Sequence, residues 1–162
     1  MNRAVLDSSI LLKSIFKPLR SLSKEAYARE LETYGKCRRL LKLIDEKDVE
    51  AYIPRARIVE NAAVARRLSS RLTARKISRE IQESYEIVDE SLIFDTAWMI
   101  ALDTGCSGFD SYFIALAKIK NATLMTDDRG MHYHAVDINA DSILVREAEM
   151  ETIESLFNQP NN

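Results

Sequence analysis

One arrangement recurs along this chain and constrains it more than any other. A short apolar run of strand character ends, and a carboxylate stands at its end or on the helix that follows. Asp7 follows Arg3–Leu6, Glu60 comes after Ala51–Pro54, Asp110 opens the apolar stretch Ser111–Lys120, and Asp128 follows Ala122–Thr126. In an open parallel α/β sheet, such positions gather in one crevice outside the carboxyl ends of the strands. Acids from both ends of the chain then share a pocket. Two carboxylates about 4 Å apart repel by roughly 4 kcal/mol at an effective dielectric near 20. The cluster persists only if it is protonated, paired with bases or bound to a cation. Few bases are evident beside these four acids in the sequence, so a divalent cation is the expected partner.

The spacing of apolar residues supports that sheet. Arg3–Leu6, Ala51–Pro54, Tyr85–Val88, Ala122–Met125 and Asp141–Val145 read as strands. Between them lie helical patterns: Ile10–Phe16 ending before Pro18, Glu25–Leu43, and a long stretch from Arg57 that Ser69-Ser70 is expected to break in two. Further helices are expected around Leu92–Leu102, over Ser111–Lys120 and over Arg146–Phe157. A tight turn at Asp7-Ser8-Ser9, with Ser8 or Ser9 as cap, is expected to start the first helix. Strands alternating with helices predict a three-layer α/β/α single domain around a central parallel sheet, spanning residues 1–157, with 158–162 as a flexible tail.

Composition narrows the function. The 162 residues are 46% hydrophobic and 30% charged, the balance of a globular domain. A net charge of −2 excludes a globally basic nucleic-acid binder but leaves room for a local basic surface. Cys37 and Cys106 fit neither a disulfide framework nor a zinc pattern. No apolar run reaches bilayer length and no secretory apolar core precedes Asp7, so a cytoplasmic location with no membrane partner is expected.

Three stretches, AVLDSSILL, YIPRARIVENA and GFDSYFIALAKIKNATLMTDDRG, together resemble the PIN-domain family, which includes the toxin halves of VapBC-type toxin–antitoxin pairs. The resemblance implies an octahedral Mg²⁺ or Mn²⁺ site and metal-dependent endoribonuclease chemistry on RNA. It carries the acidic set onto Asp7, Glu60, Asp110 and Asp128. Asp127 is an adjoining candidate ligand, with Asp128 preferred because it holds the Thr-x-Asp position after Thr126. Ser9 matches a small hydroxyl that supports the site. The resemblance also implies a homodimer and an antitoxin protein as partners. Oxygen donors of this kind suit hard divalent cations.

Other readings compete. A phosphatase of the haloacid dehalogenase type also places an aspartate after its first strand, but it wants a second two residues on, where this chain has Ser9. A non-catalytic RNA-binding or assembly module is the third class. Asp110 alone could be a helix cap, Glu60 a solvated residue, and Asp127-Asp128 turn residues before Gly130. His132 and His134, read as one side of an extended segment, are left out of the site. Trp98 and Met99 read as core or subunit interface. Arg67, Arg71 and Arg75 recur every four residues and would form an RNA-binding stripe on a continuous helix, against the alternative of a solvated face.

Overall fold

Five apolar runs lie side by side in the computed structural model, which describes residues 2–158. They are β1 (Arg3–Leu6), β2 (Glu50–Pro54), β3 (Glu86–Val88), β4 (Thr123–Thr126) and β5 (Ser142–Leu144). All neighbours pair in parallel, in the order β3-β2-β1-β4-β5. Parallel strands need crossover connections, and here each crossover is helical. The helices are α1 (Ser8–Ile15), α2 (Lys24–Glu46), α3 (Ala56–Leu68), α4 (Arg71–Ser84), α5 (Phe94–Thr104), α6 (Gly108–Lys120), α7 (Arg129–Asp137) and α8 (Met150–Phe157).

Successive strand residues point to opposite faces, and the core divides accordingly. Ala4 and Leu6 of β1, Ala51 and Ile53 of β2 and Met125 of β4 pack with residues of α1, α2, α3, α4 and α8. Val5, Tyr52 and Leu124 face the other way, into a cluster built with α5, α6 and α7. The predicted three-layer α/β/α arrangement with a parallel sheet is the one observed. Ala4, Val5 and Leu6 are wholly buried, as expected of the central strand of a sheet covered on both faces.

The topology positions the site. The chain builds outward from β1 through β2 to β3, then returns to the other side of β1 as β4 and continues to β5. The reversal falls between β1 and β4, whose register pairs Leu6 with Met125. One further bond, from the Asp7 N–H to the Met125 carbonyl at 3.0 Å, extends the pairing past the strand. Asp7 is thereby brought beside Thr126.

Several local expectations are corrected. α1 starts at Ser8, so Ser8 and Ser9 lie in its first turn and neither caps it; Asp7 holds the cap position without a side-chain cap bond. Residues Arg129–Asp137 form α7 rather than an extended segment, because Asp128 supplies a cap that the turn reading of Asp127-Asp128 overlooked. The last helix begins at Met150, not Arg146. The break at Ser69-Ser70 is as expected: the Ser70 hydroxyl accepts the Thr73 N–H at 3.1 Å and starts α4. The expected tail beyond Asn158 lies outside the described residues. Among those residues no helix is long and apolar enough to cross a membrane.

Candidate active site

Asp7 sits at the end of β1 with only 4% of its surface exposed. Its backbone carbonyl accepts the N–H groups of Ile10 and Leu11, which starts α1 and frees the side chain for other work. One carboxylate oxygen, Oδ2, accepts short hydrogen bonds from the Ser9 hydroxyl and, at 2.9 Å, from the Thr126 hydroxyl. Those hydroxyls are themselves held from the far side. Ser9 Oγ accepts the Asp127 N–H at 3.3 Å, and Thr126 Oγ1 accepts the Asp128 N–H at 3.0 Å. Burial pushes the Asp7 carboxyl above its ordinary range; the two hydroxyls and the nearby Arg57 charge oppose the rise without cancelling it.

Asp110 and Asp128 sit on the same side of the sheet's edge, within electrostatic reach of each other. The capping role considered for Asp110 belongs to Ser107, whose hydroxyl accepts the Asp110 N–H at 3.1 Å. Burial raises the Asp110 carboxyl, and the Asp128 charge adds to the rise; Ser107, Arg57 and His134 pull it down. Asp128 Oδ1 caps α7 by accepting the Met131 N–H at 2.9 Å, and its other oxygen remains for a ligand. A Cβ at Gly130 would stand 3.2 Å from Asp128 Oδ1, a tight contact that the Asp128 side chain would have to ease.

The two aspartates of the Thr126-Asp127-Asp128 turn have different surroundings. The Asp127 side chain is 1% exposed, and both its oxygens are engaged. Arg146 grips it with Nε to Oδ1 at 2.7 Å and Nη2 to Oδ2 at 2.6 Å, while Lys13 Nζ reaches Oδ2 at 2.6 Å. Burial alone would raise this carboxyl, but Arg146 and Lys13 outweigh it and hold Asp127 below the usual carboxylate range. Lys13 also pairs with Glu30 at 2.5 Å, tying α1 to α2.

Glu60, on α3, is held by Arg57 one turn earlier, with Nη1 to Oε2 at 2.7 Å, and more weakly by the Ser8 hydroxyl at 3.5 Å. Of the four acids, only Glu60 has a base bonded to it, Arg57, while Lys13 and Arg146 are taken up by Asp127. Arg146 directly follows the apolar run Asp141–Val145 expected as a strand, so the strand-end rule that marked Asp7 would have marked it had bases been searched as well as acids. Lys13 lies one helical turn after Ser9 on α1, just past the apolar run Ile10-Leu11-Leu12. Arg57 has no comparable sequence signal.

Other candidate positions lie elsewhere. Arg67 is on α3 while Arg71 and Arg75 are on α4, so the break at Ser69-Ser70 interrupts the expected stripe; all three are exposed. His132 and His134 are on helix α7, where a two-residue step separates them around the axis instead of aligning them; His132 Nδ1 contacts the Ser142 hydroxyl at 2.9 Å. Trp98 and Met99 are not core: with Leu92, Phe94 and Leu102 they are half or more exposed.

The donors suit a hard divalent cation. Asp7, Glu60, Asp110 and Asp128 offer only oxygen, a single arginine stands among them, and Asp7 and Asp110 are raised rather than lowered, the mark of incompletely compensated burial. Among the described residues, no three His, Cys, Asp or Glu stand close enough together to hold a metal ion.

A family model described as the PIN domain matches residues 4–137, from β1 to the end of α7. The chain belongs to the PIN-domain family. PIN domains are commonly nucleases and typically use divalent metal ions. In fold the chain is similar to the crystal structure of PAE2754 from Pyrobaculum aerophilum, with a TM-score of 0.57 at 14% identity over 98% of this chain and 91% of that one. It is similar also to the crystal structure of FitAcB from Neisseria gonorrhoeae, with a TM-score of 0.54 at 19% identity over 90% of this chain and 99% of that one. Identities this low speak for the PIN fold alone. No curated protein matches the chain.

The contrast between Asp127 and Asp7 is testable through stability. Asp127→Asn breaks a buried charge pair but leaves its partners partly solvated, so a loss of about 3 kcal/mol is expected in urea unfolding, the low end for such pairs. Asp128→Asn should lose about 1 kcal/mol or less, as for an altered helix cap. Equal losses would mean that the Asp127 ion pairs contribute nothing particular.

Asp7→Asn should act in the opposite direction. A carboxyl whose folded pKa is raised destabilises the fold once ionised. The cost is absent below the unfolded value near 3.9, grows as pH rises toward the folded value and is complete above it. In EDTA at pH 7, Asp7→Asn should raise the thermal midpoint by about 2–4 °C for each kcal/mol relieved. The gain should vanish below about pH 4. A variant less stable than the parent at pH 7 would show that the hydroxyl bonds to Asp7 outweigh its desolvation.

Proposed function

We propose that the chain is a divalent-metal-dependent endoribonuclease, and that it acts as the toxin half of a toxin–antitoxin pair. The carrying observation is the buried Asp7 carboxylate, oriented by two hydroxyls and, among the described residues, lacking an ion-pair partner of its own, with Arg57 acting on both Asp7 and Asp110 and Asp128 acting on Asp110. Asp7, Glu60, Asp110 and Asp128 would hold Mg²⁺ or Mn²⁺. Such an ion neutralises charge on phosphate oxygens and makes bound water more acidic. Ser9 and Thr126 fix the direction of Asp7. Asp127 is better read as a structural anchor than as a ligand, because Lys13 and Arg146 occupy both its oxygens.

A non-catalytic RNA-binding or assembly module is the second reading, favoured by the hold of Arg57 on Glu60. The phosphatase reading loses further ground, since the position it needs as an aspartate is Ser9, which is engaged with Asp7. A titration of purified protein with Mg²⁺ and Mn²⁺, with and without RNA, separates the first two. The nuclease reading expects metal-dependent cleavage inside the RNA chain that Asp7→Asn and Asp110→Asn reduce at least a hundredfold. Metal-independent RNA binding without cleavage would favour the module.

Two surfaces complete the reading. Exposed Phe94, Trp98, Met99 and Leu102 on α5 would join two copies of the chain. Light scattering at micromolar concentration should then give twice the chain mass, and a monomer would refute the pairing. Arg67, Arg71 and Arg75 would contact RNA phosphates. Replacing all three with Gln should weaken binding and flatten the dependence of log affinity on log salt, since fewer counterions are released. An unchanged slope would make these arginines a solvated face.

A further inference from the structure

We propose that Arg57 is a resident counter-ion of the acid cluster, holding Glu60 aside from the position a divalent cation requires, so that the incoming ion must displace it. The proposal rests on the metal-site reading above.

Arg57 is an unusual place to find an arginine. It is 8% exposed, on the first turn of α3, with its guanidinium carbon 5.1 Å from the ring of Phe109 and 4.9 Å from that of Phe113. The rings come from α6, the helix that carries Asp110. They hold the cation against the acid cluster while leaving its donors free to aim at carboxylates. Nη1 takes Glu60, yet Nε is buried with no partner. Asn61, on the other side of Glu60, is wholly buried with neither side-chain polar atom bonded. Buried polar groups in folded proteins are nearly always paired. Three unpaired atoms on Arg57 and Asn61, counted among the described residues, mark this buried stretch of α3 as an arrangement that is not fully satisfied.

Charge accounts for the rest. Arg57 acts electrostatically on both Asp7 and Asp110 while bonding Glu60, so one guanidinium serves three acids. One unit of positive charge tempers the repulsion without neutralising it. A divalent ion would satisfy the same acids better, but Glu60 cannot serve both cations with the oxygen Arg57 now holds.

The test compares Mn²⁺ binding and thermal stability in the parent, Arg57→Gln and Arg57→Lys proteins. Calorimetry should show about tenfold tighter Mn²⁺ binding by Arg57→Gln, equivalent to about 1.4 kcal/mol. Its thermal midpoint should fall in EDTA and recover most of the difference in saturating Mn²⁺. Arg57→Lys keeps the charge, so its Mn²⁺ affinity should stay within about threefold of the parent; it carries the comparison if the Gln variant does not fold, and tighter binding by Lys of tenfold or more would then overturn the proposal. Unchanged or weaker Mn²⁺ binding by Arg57→Gln, with the same destabilisation in EDTA and in Mn²⁺, would make Arg57 a packing residue only. A parent protein that binds no Mn²⁺ would instead remove the metal-site reading itself.

Discussion

The hydroxyl bridge between Asp7 and the turn after β4 is the contact on which the site depends. Ser9 and Thr126 each donate to the Asp7 carboxylate and each accept a backbone N–H from the Asp127-Asp128 turn. Two side chains thus fasten the end of β1 to the end of β4 where the sheet reverses direction. Because each hydroxyl is satisfied in both senses, neither can turn away without leaving a buried group unpaired. The carboxylate direction is consequently set by backbone geometry, the stiffest reference available. Replacing β1 or β4 residues would disturb the site through this bridge even where no ligand is touched.

The sheet was legible in the sequence because its signal is local. Runs such as Arg3–Leu6 and Thr123–Thr126 are apolar, short and followed by acids, and the edge rule for parallel sheets converts that pattern directly into a crevice. What escaped had either a weak local signal or a partner distant in sequence. The short helix α7 has few apolar residues in a helical phase, and only the Asp128 cap, bonded to Met131, makes its start visible. The end of the chain misled for a similar reason: Arg146 reads as the start of a helix, but its side chain is drawn back to Asp127, and the helix waits until Met150.

The sequence pointed to acids and not to the bases that pair with their neighbours. Lys13, Arg57 and Arg146 reach the cluster from α1, α3 and the turn after β5, three places that no single window of sequence joins. Their distribution divides the carboxylates into two kinds. Asp127 is saturated by cations and nearly sealed from water, which makes it part of the scaffold. Asp7 is equally sealed but has only hydroxyls, which leaves its charge unspent. Sequence adjacency would treat Asp127 and Asp128 as alternatives for one role; burial and partners assign them separate ones.

The position of β1 in the sheet has a consequence for how the protein comes into being. β1 is the central strand, yet its neighbour β4 begins at Thr123. During synthesis the first strand is therefore made long before the segment that covers its second edge. Contacts so far apart in sequence are slow to form and leave apolar strands open to misassociation meanwhile. Asp7 acquires its Thr126 partner only in this late step. A nascent chain that stops just short of β4 would carry Asp7, Glu60 and Asp110 but not the turn that fixes the direction of Asp7, so the bridge between β1 and β4 is withheld until most of the molecule has been made.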